Sequence, residues 1–172
     1  MDKHTYIAGV SKLINECPYC SIPKDPSTSN LTKVKTAIKS SHILPMQLKK
    51  SLIPPITNCA RLYALPKVHK TGIPFRPIVS NIRTASYPLA KYLVSRFSPL
   101  LANNIHTVKS SSEVTNKLKD ISILHSIMVS FDVKSLFTNV PVEGALKCLE
   151  TRLWEFHFTH TEIDELVSLT KV

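Results

Sequence analysis

Between Pro26 and Ser112 the chain has no aspartate and no glutamate, while thirteen lysines and arginines fall in that stretch. A folded segment without internal counter-charge projects a positive field that solvent or a polyanion must screen. Nucleic acid, a nucleoside triphosphate and an anionic membrane surface all meet that need. A basic surface serving only solubility is the plainer alternative, although acids are usually interspersed on such surfaces. A long hydrophobic run is also missing. The most apolar stretch, Tyr87 to Ala102, is interrupted by Lys91 and Arg96, whereas a membrane span needs about 20 mostly apolar residues. The opening MDKHTY has no apolar segment behind it, so no secretory leader is expected. Four cysteines do not make a disulfide scaffold, and the chain reads as intracellular with reduced thiols.

What is present suffices for a core. The 172 residues are 43% hydrophobic and 20% charged, which excludes bulk disorder and suggests about one domain. Charge divides unevenly along the chain. Residues 1–109 hold 16 basic and 3 acidic side chains, and residues 110–172 hold 6 basic and 9 acidic, within a net charge of +10.

Apolar spacing predicts helices over 5–16, 30–40 and 42–52, the last starting near Pro45 and stopped by Pro54 and Pro55. Residues 61–80, RLYALPKVHKTGIPFRPIVS, are rich in proline and poor in helix formers. They predict two strands joined by a turn at Thr71-Gly72, a ribbon presenting Lys67, His69, Lys70 and Arg76. An amphipathic helix is expected over 85–102. A shorter helix is expected from Ser110, where Ser110 and Glu113 have capping-box spacing. IMVSFDV at 127–133 alternates cleanly. It predicts a core strand with Ile127, Val129, Phe131 and Val133 on one face and Asp132 on the other. Helical spacing returns from Pro141 and again from Thr161, and the pattern ends at Val172 as if a fold were cut short.

Three groups could carry chemistry. Asp132, closing an apolar strand before a tight turn, is placed to hold a divalent metal through a hard oxygen; an exposed carboxylate capping the turn toward Thr138 and Asn139 explains it equally well. Lys67, Lys70 and Arg76 suit phosphate, Arg through its planar fork and Lys as a compact charge, but they also read as solvated cations. Cys17-Pro-Tyr-Cys20 has the spacing of a redox pair or of half a zinc site. The redox fold needs a strand before it, and zinc needs two more ligands at a second short spacing. Cysteines in a proline-rich loop are the favoured reading.

RLYALPKVHKTGIPFRPIVS, followed some fifty residues later by VSFDVKSLFTNVPVEGAL, resembles the reverse transcriptases of Penelope-like retroelements. Those enzymes carry a block close to LPKIHK, one close to RPIVS, and a motif A of the form SFDVxSLFTNVP. The upstream LINE, DPS, LTK and LKKSLIPP strings extend the likeness over nearly the whole chain. The resemblance implies an α+β fold: a partial right-hand polymerase, helix-rich, with a short fingers β-ribbon and one core palm strand. Residues 1–60 would be the helical approach to the fingers, 61–109 the fingers with the basic ribbon, and 110–172 an incomplete palm.

The implied activity is RNA-directed DNA polymerisation, adding deoxynucleotides to a primer 3′-hydroxyl by two-metal phosphoryl transfer. Asp132 and the Val133 carbonyl would hold Mg2+, and Arg76 with Lys67 would grip the incoming triphosphate. Phe137 would exclude a 2′-hydroxyl, unless it is simply a core aromatic. Lys70 and Arg83 would contact the RNA template and DNA primer, in the nucleus if the element is active. The sequence departs from that family where its motif B, paired-aspartate motif C and GIY-YIG module would come; three glycines leave no room for the last. The later acids all fall on helical patterns. An inactive, poorly soluble fragment is therefore expected, with a non-catalytic RNA- or DNA-binding protein as the alternative.

Overall fold

The computed structural model describes residues 2–16, 19–101, 107–119, 121, 127–133 and 136–172, with the backbone alone at 137 and 138. It is an α+β arrangement. In chain order the elements are α1 (Lys3–Glu16), α2 (Ser27–Ser40), α3 (Met46–Leu52), β1 (Arg61–Pro66), β2 (Phe75–Ser80), α4 (Tyr87–Phe97), α5 (Ser111–Leu118), α6 (Leu136–Asn139), α7 (Val142–Glu155) and α8 (His160–Thr170), with a 3-10 turn at Ser98–Leu101. No helix among the described residues is long and apolar enough to cross a membrane. Two compact units divide the chain: residues 1–94 with 168–172, and residues 95–167.

In the first unit Val34 and Ile38 of α2, Leu44, Leu52 of α3, Ala64 of β1 and Leu89 and Leu93 of α4 are buried. α2 and α4 bury positions four residues apart, as their spacing marks, whereas α1 buries none of its apolar positions and leaves Ile7 and Ile14 exposed. α2 begins three residues before the apolar pattern does. Asp25 accepts the Ser27 N–H at 2.7 Å, so a carboxylate satisfies an early donor of the helix end. At the other end Lys49 Nζ donates to the Lys39 carbonyl at 2.9 Å, putting a cation on the negative end of the helix dipole. The stretch expected as one helix over 85–102 is α4 followed by the 3-10 turn. Pro99 has no N–H to continue the α ladder, and the chain tightens instead.

The sheet is two-stranded and antiparallel, with Arg61 opposite Ser80, Tyr63 opposite Ile78, Ala64 opposite Pro77 and Leu65 opposite Arg76. Lys67 N–H donates to the Pro74 carbonyl at 2.9 Å, so 67 and 74 form a hydrogen-bonded pair. By alternation, pairs 66–75 and 64–77 do not exchange hydrogen bonds. Pro66 and Pro77 thus stand where a missing N–H costs no rung of the ladder.

The second unit buries Leu100, Leu146, Leu153, Ile163 and Leu166. α7 ends in a Schellman motif: Phe158 N–H bonds the Leu153 carbonyl and His157 N–H bonds the Trp154 carbonyl. His157 occupies the left-handed position at φ 59° that glycine usually fills. α8 then opens on a capping box, with Thr159 Oγ1 accepting the Glu162 N–H at 3.3 Å and Glu162 accepting the Thr159 N–H at 2.9 Å. At α5 the expected box is half made. Ser110 Oγ accepts the Glu113 N–H, but the Glu113 carboxylate accepts from Lys109 N–H.

The expected core strand at 127–133 does not form. Those residues are irregular and exposed, with Ile127 at 90% and Phe131 at 92% of full accessibility. A strand leaves rows of donors and acceptors that only a neighbouring strand can satisfy, and even a single hairpin is marginal alone. The only sheet among the described residues is β1–β2, so this segment has no strand to pair with among them.

Candidate nucleic-acid interface

The ribbon is built outward from α1. Tyr6 Oη donates to the Ala64 carbonyl at 3.1 Å and accepts the Ala64 N–H at 3.2 Å. Because Ala64 does not bond across to Pro77, both of its backbone groups point to the outer edge of β1, and one phenol satisfies the pair. The Tyr6 ring meets Phe75 edge-on, with centroids 5.8 Å apart. Gly9, one turn along, gives the Phe75 ring its place: a Cβ there would overlap the ring. Tyr6 and Gly9 were not legible as positioning residues, because neither belongs to a strand pattern.

From this support the ribbon tip projects through two turns, Lys70 N–H to the Lys67 carbonyl and Ile73 N–H to the Lys70 carbonyl, each 3.0 Å. Gly72 takes φ 75°, the conformation its lack of a Cβ allows. The expected turn at Thr71-Gly72 is thus found within a longer loop. Lys70 and Arg76 are exposed and Lys67 is half-buried. Arg83 is exposed at the ribbon base, in the left-handed region at φ 68°, and its carbonyl accepts the Asn58 N–H at 2.9 Å. The structure therefore gathers Lys67, Lys70, Arg76 and Arg83 on one hairpin and its base. Among the described residues none of these cations forms an ion pair, whereas Lys12 with Glu16, Lys117 with Glu113, Arg152 with Glu155 and His160 with Asp164 do.

Asp132 and Val133 lie in the other unit, exposed on the irregular segment. Phe137 falls in α6, and its side chain lies outside the described residues. Among the described residues no three or more His, Cys, Asp or Glu side chains gather as a metal site. Magnesium demands octahedral oxygen ligation, through one or two carboxylates with substrate phosphates. One solvent-exposed carboxylate with a neighbouring carbonyl does not make a two-metal centre. Of the CPYC motif, Cys17 and Pro18 lie outside the described residues, and Cys20 is an exposed thiol.

A second polar cluster sits at the start of α2. Cys59 Sγ donates to Asp25 Oδ1 at 2.9 Å and accepts from Ser27 Oγ at 3.2 Å. These bonds, Cys59 first and Ser27 next, hold the Asp25 carboxyl down to about 2 from its ordinary 3.8. No family model, curated protein or solved structure matches the chain.

Proposed function

We propose that this chain is the fingers and first palm segment of a reverse transcriptase of the Penelope-like kind, and that its own contribution is to bind template and primer. The observation that carries the reading is the β1–β2 ribbon. It forms over the same residues as the LPKVHK and RPIVS blocks, and its cations have no ion-pair partner among the described residues. Phosphates are the natural counter-charge for such a surface. In this reading Arg76 and Lys67 meet the triphosphate of an incoming deoxynucleotide, and Lys70 and Arg83 meet the nucleic-acid backbone. Asp132 supplies one Mg2+ ligand, which becomes a working centre only beside further carboxylates.

The isolated chain is expected to bind a primed RNA template with an affinity that falls steeply from low to moderate salt, and to add no deoxynucleotide in the presence of magnesium. Salt-independent binding, or none, would remove the reading. A second reading is a purely non-catalytic RNA- or DNA-binding protein, favoured by the unpaired, exposed state of 127–133. Primer extension separates the two. Incorporation abolished by Asp132→Ala establishes an enzyme, and its continued absence when the chain is supplied with a palm fragment carrying paired aspartates favours the binding protein.

A further inference from the structure

We infer that the outer face of the ribbon is a stacking platform that selects single-stranded over duplex nucleic acid, with Tyr63 as the ring on which a base lies. This rests on the reading of the ribbon as a nucleic-acid interface, and it adds residues and a strand preference that the sequence blocks do not assign.

The register puts Arg61, Tyr63 and Leu65 of β1 on the same face as Arg76, Ile78 and Ser80 of β2. The opposite face carries Phe75, which meets Tyr6 and Gly9 of α1. On the outer face Arg61, Tyr63, Leu65 and Arg76 are exposed and Ile78 and Ser80 half-buried, while Leu62 and Val79 are the exposed residues of the opposite face. Tyr63 is 39% and Leu65 49% accessible, although both are large and hydrophobic. An aromatic ring beside the exposed Arg61, on a strand that reaches about 13 Å from Arg61 to Leu65 and with the exposed Lys70 and Arg83 at the tip and base of the same ribbon, combines the two elements of single-strand recognition. Cations follow the phosphates, and a ring accepts any base by its π face. In a duplex the base faces are already stacked on one another, so the ring has nothing to accept. Charge complementarity selects a polyanion as occupant, because no aspartate or glutamate occurs between Pro26 and Ser112.

The test uses the full chain with fluorescein-labelled oligo(dT) and oligo(U) of about 20 nucleotides and a duplex of equal length, followed by anisotropy. Wild type is expected to bind the single strands more tightly than the duplex. Tyr63→Ala should weaken single-strand binding about tenfold, leave duplex binding and the salt slope unchanged, and be rescued by Tyr63→Phe. Wild-type chain irradiated with a 5-iodouracil-substituted strand should crosslink at Tyr63, a readout that needs no variant to fold. Equal affinity of wild type and Tyr63→Ala, a duplex preference, or crosslinks that avoid Tyr63 would each overturn the inference. If wild type binds single strands while Tyr63→Ala is silent, stacking alone fails; if wild type binds no nucleic acid, the ribbon reading fails with it.

Discussion

Residues 61–80 and 127–133 are both expected to form strands, the first from proline placement and a turn, the second from clean alternation, yet only the first becomes sheet. Residues 61–80 hold both strands and the turn between them. Their partner is therefore supplied at a sequence distance that costs little entropy to close. Residues 127–133 have one good strand and no partner among the described residues, and their apolar side chains stand in solvent. Alternation states which face a strand would bury. Whether it is buried depends on a neighbour that no local pattern can promise.

The largest effect that would break this contrast is electrostatic. Replacing Arg61, Lys70 and Arg83 with alanine should lower single-strand affinity by about 100-fold at low salt and reduce the log–log salt slope by roughly 2, at about 0.7 per lost phosphate contact. Unchanged anisotropy titrations would move the interface off the ribbon.

Next comes the support beneath it. Gly9→Ala places a methyl where the Phe75 ring lies and should destabilise the first unit by about 2 kcal/mol through overpacking. In a Phe75→Ala background the same change should stabilise by up to about 1 kcal/mol, the ordinary helix preference for alanine over glycine. Chemical denaturation of the four proteins would show the reversal of sign.

In the second unit, His157→Gly should raise stability by about 1 kcal/mol, since the left-handed turn penalises any residue with a Cβ. An unchanged thermal midpoint would mean that the turn is not held at φ 59°.

The Asp25 cluster adds a pH dependence in the first unit. Its folded carboxyl sits at about 2, below the ordinary 3.8, so its stabilisation is present above about 4 and is lost as pH falls toward 2. Cys59→Ala should shift the Asp25 carboxyl titration upward in an NMR pH series. A titration that stays in place would remove Cys59 as the cause.

The smallest effect tests the unpaired segment itself. Phe131→Asp should change stability by less than about 0.5 kcal/mol and raise solubility, because an exposed position has no core contact to lose. A large loss of stability would show that 127–133 is a buried strand after all.

These contrasts also mark what was legible. The faces of α2 and α4, the ribbon and its turn followed from spacing and proline placement, since both are local, while the apolar face of α1 is not buried. The ends of elements were less visible. The start of α2 hid behind Ser27 and Thr28, poor helix formers, although Asp25-Pro26 is itself a start signal. The capping box of Thr159 and Glu162 has the same spacing as that of Ser110 and Glu113, but apolar spacing alone starts this helix at Thr161, one residue inside α8. At the candidate site the cations could be named from sequence, while Arg61 and Tyr63 needed the register to show which face they share. Asp132 could be named but not built into a centre, because metal ligation requires carboxylates from several elements to converge.

The claim underlying the account is that the hairpin at 61–80 is where nucleic acid lands. Hydrogen exchange of the full chain, with and without a saturating single-stranded oligonucleotide, tests it most directly. Slowed exchange concentrated in 61–80 is the expected result. Protection confined to residues 107–172, with the hairpin unchanged, would contradict it.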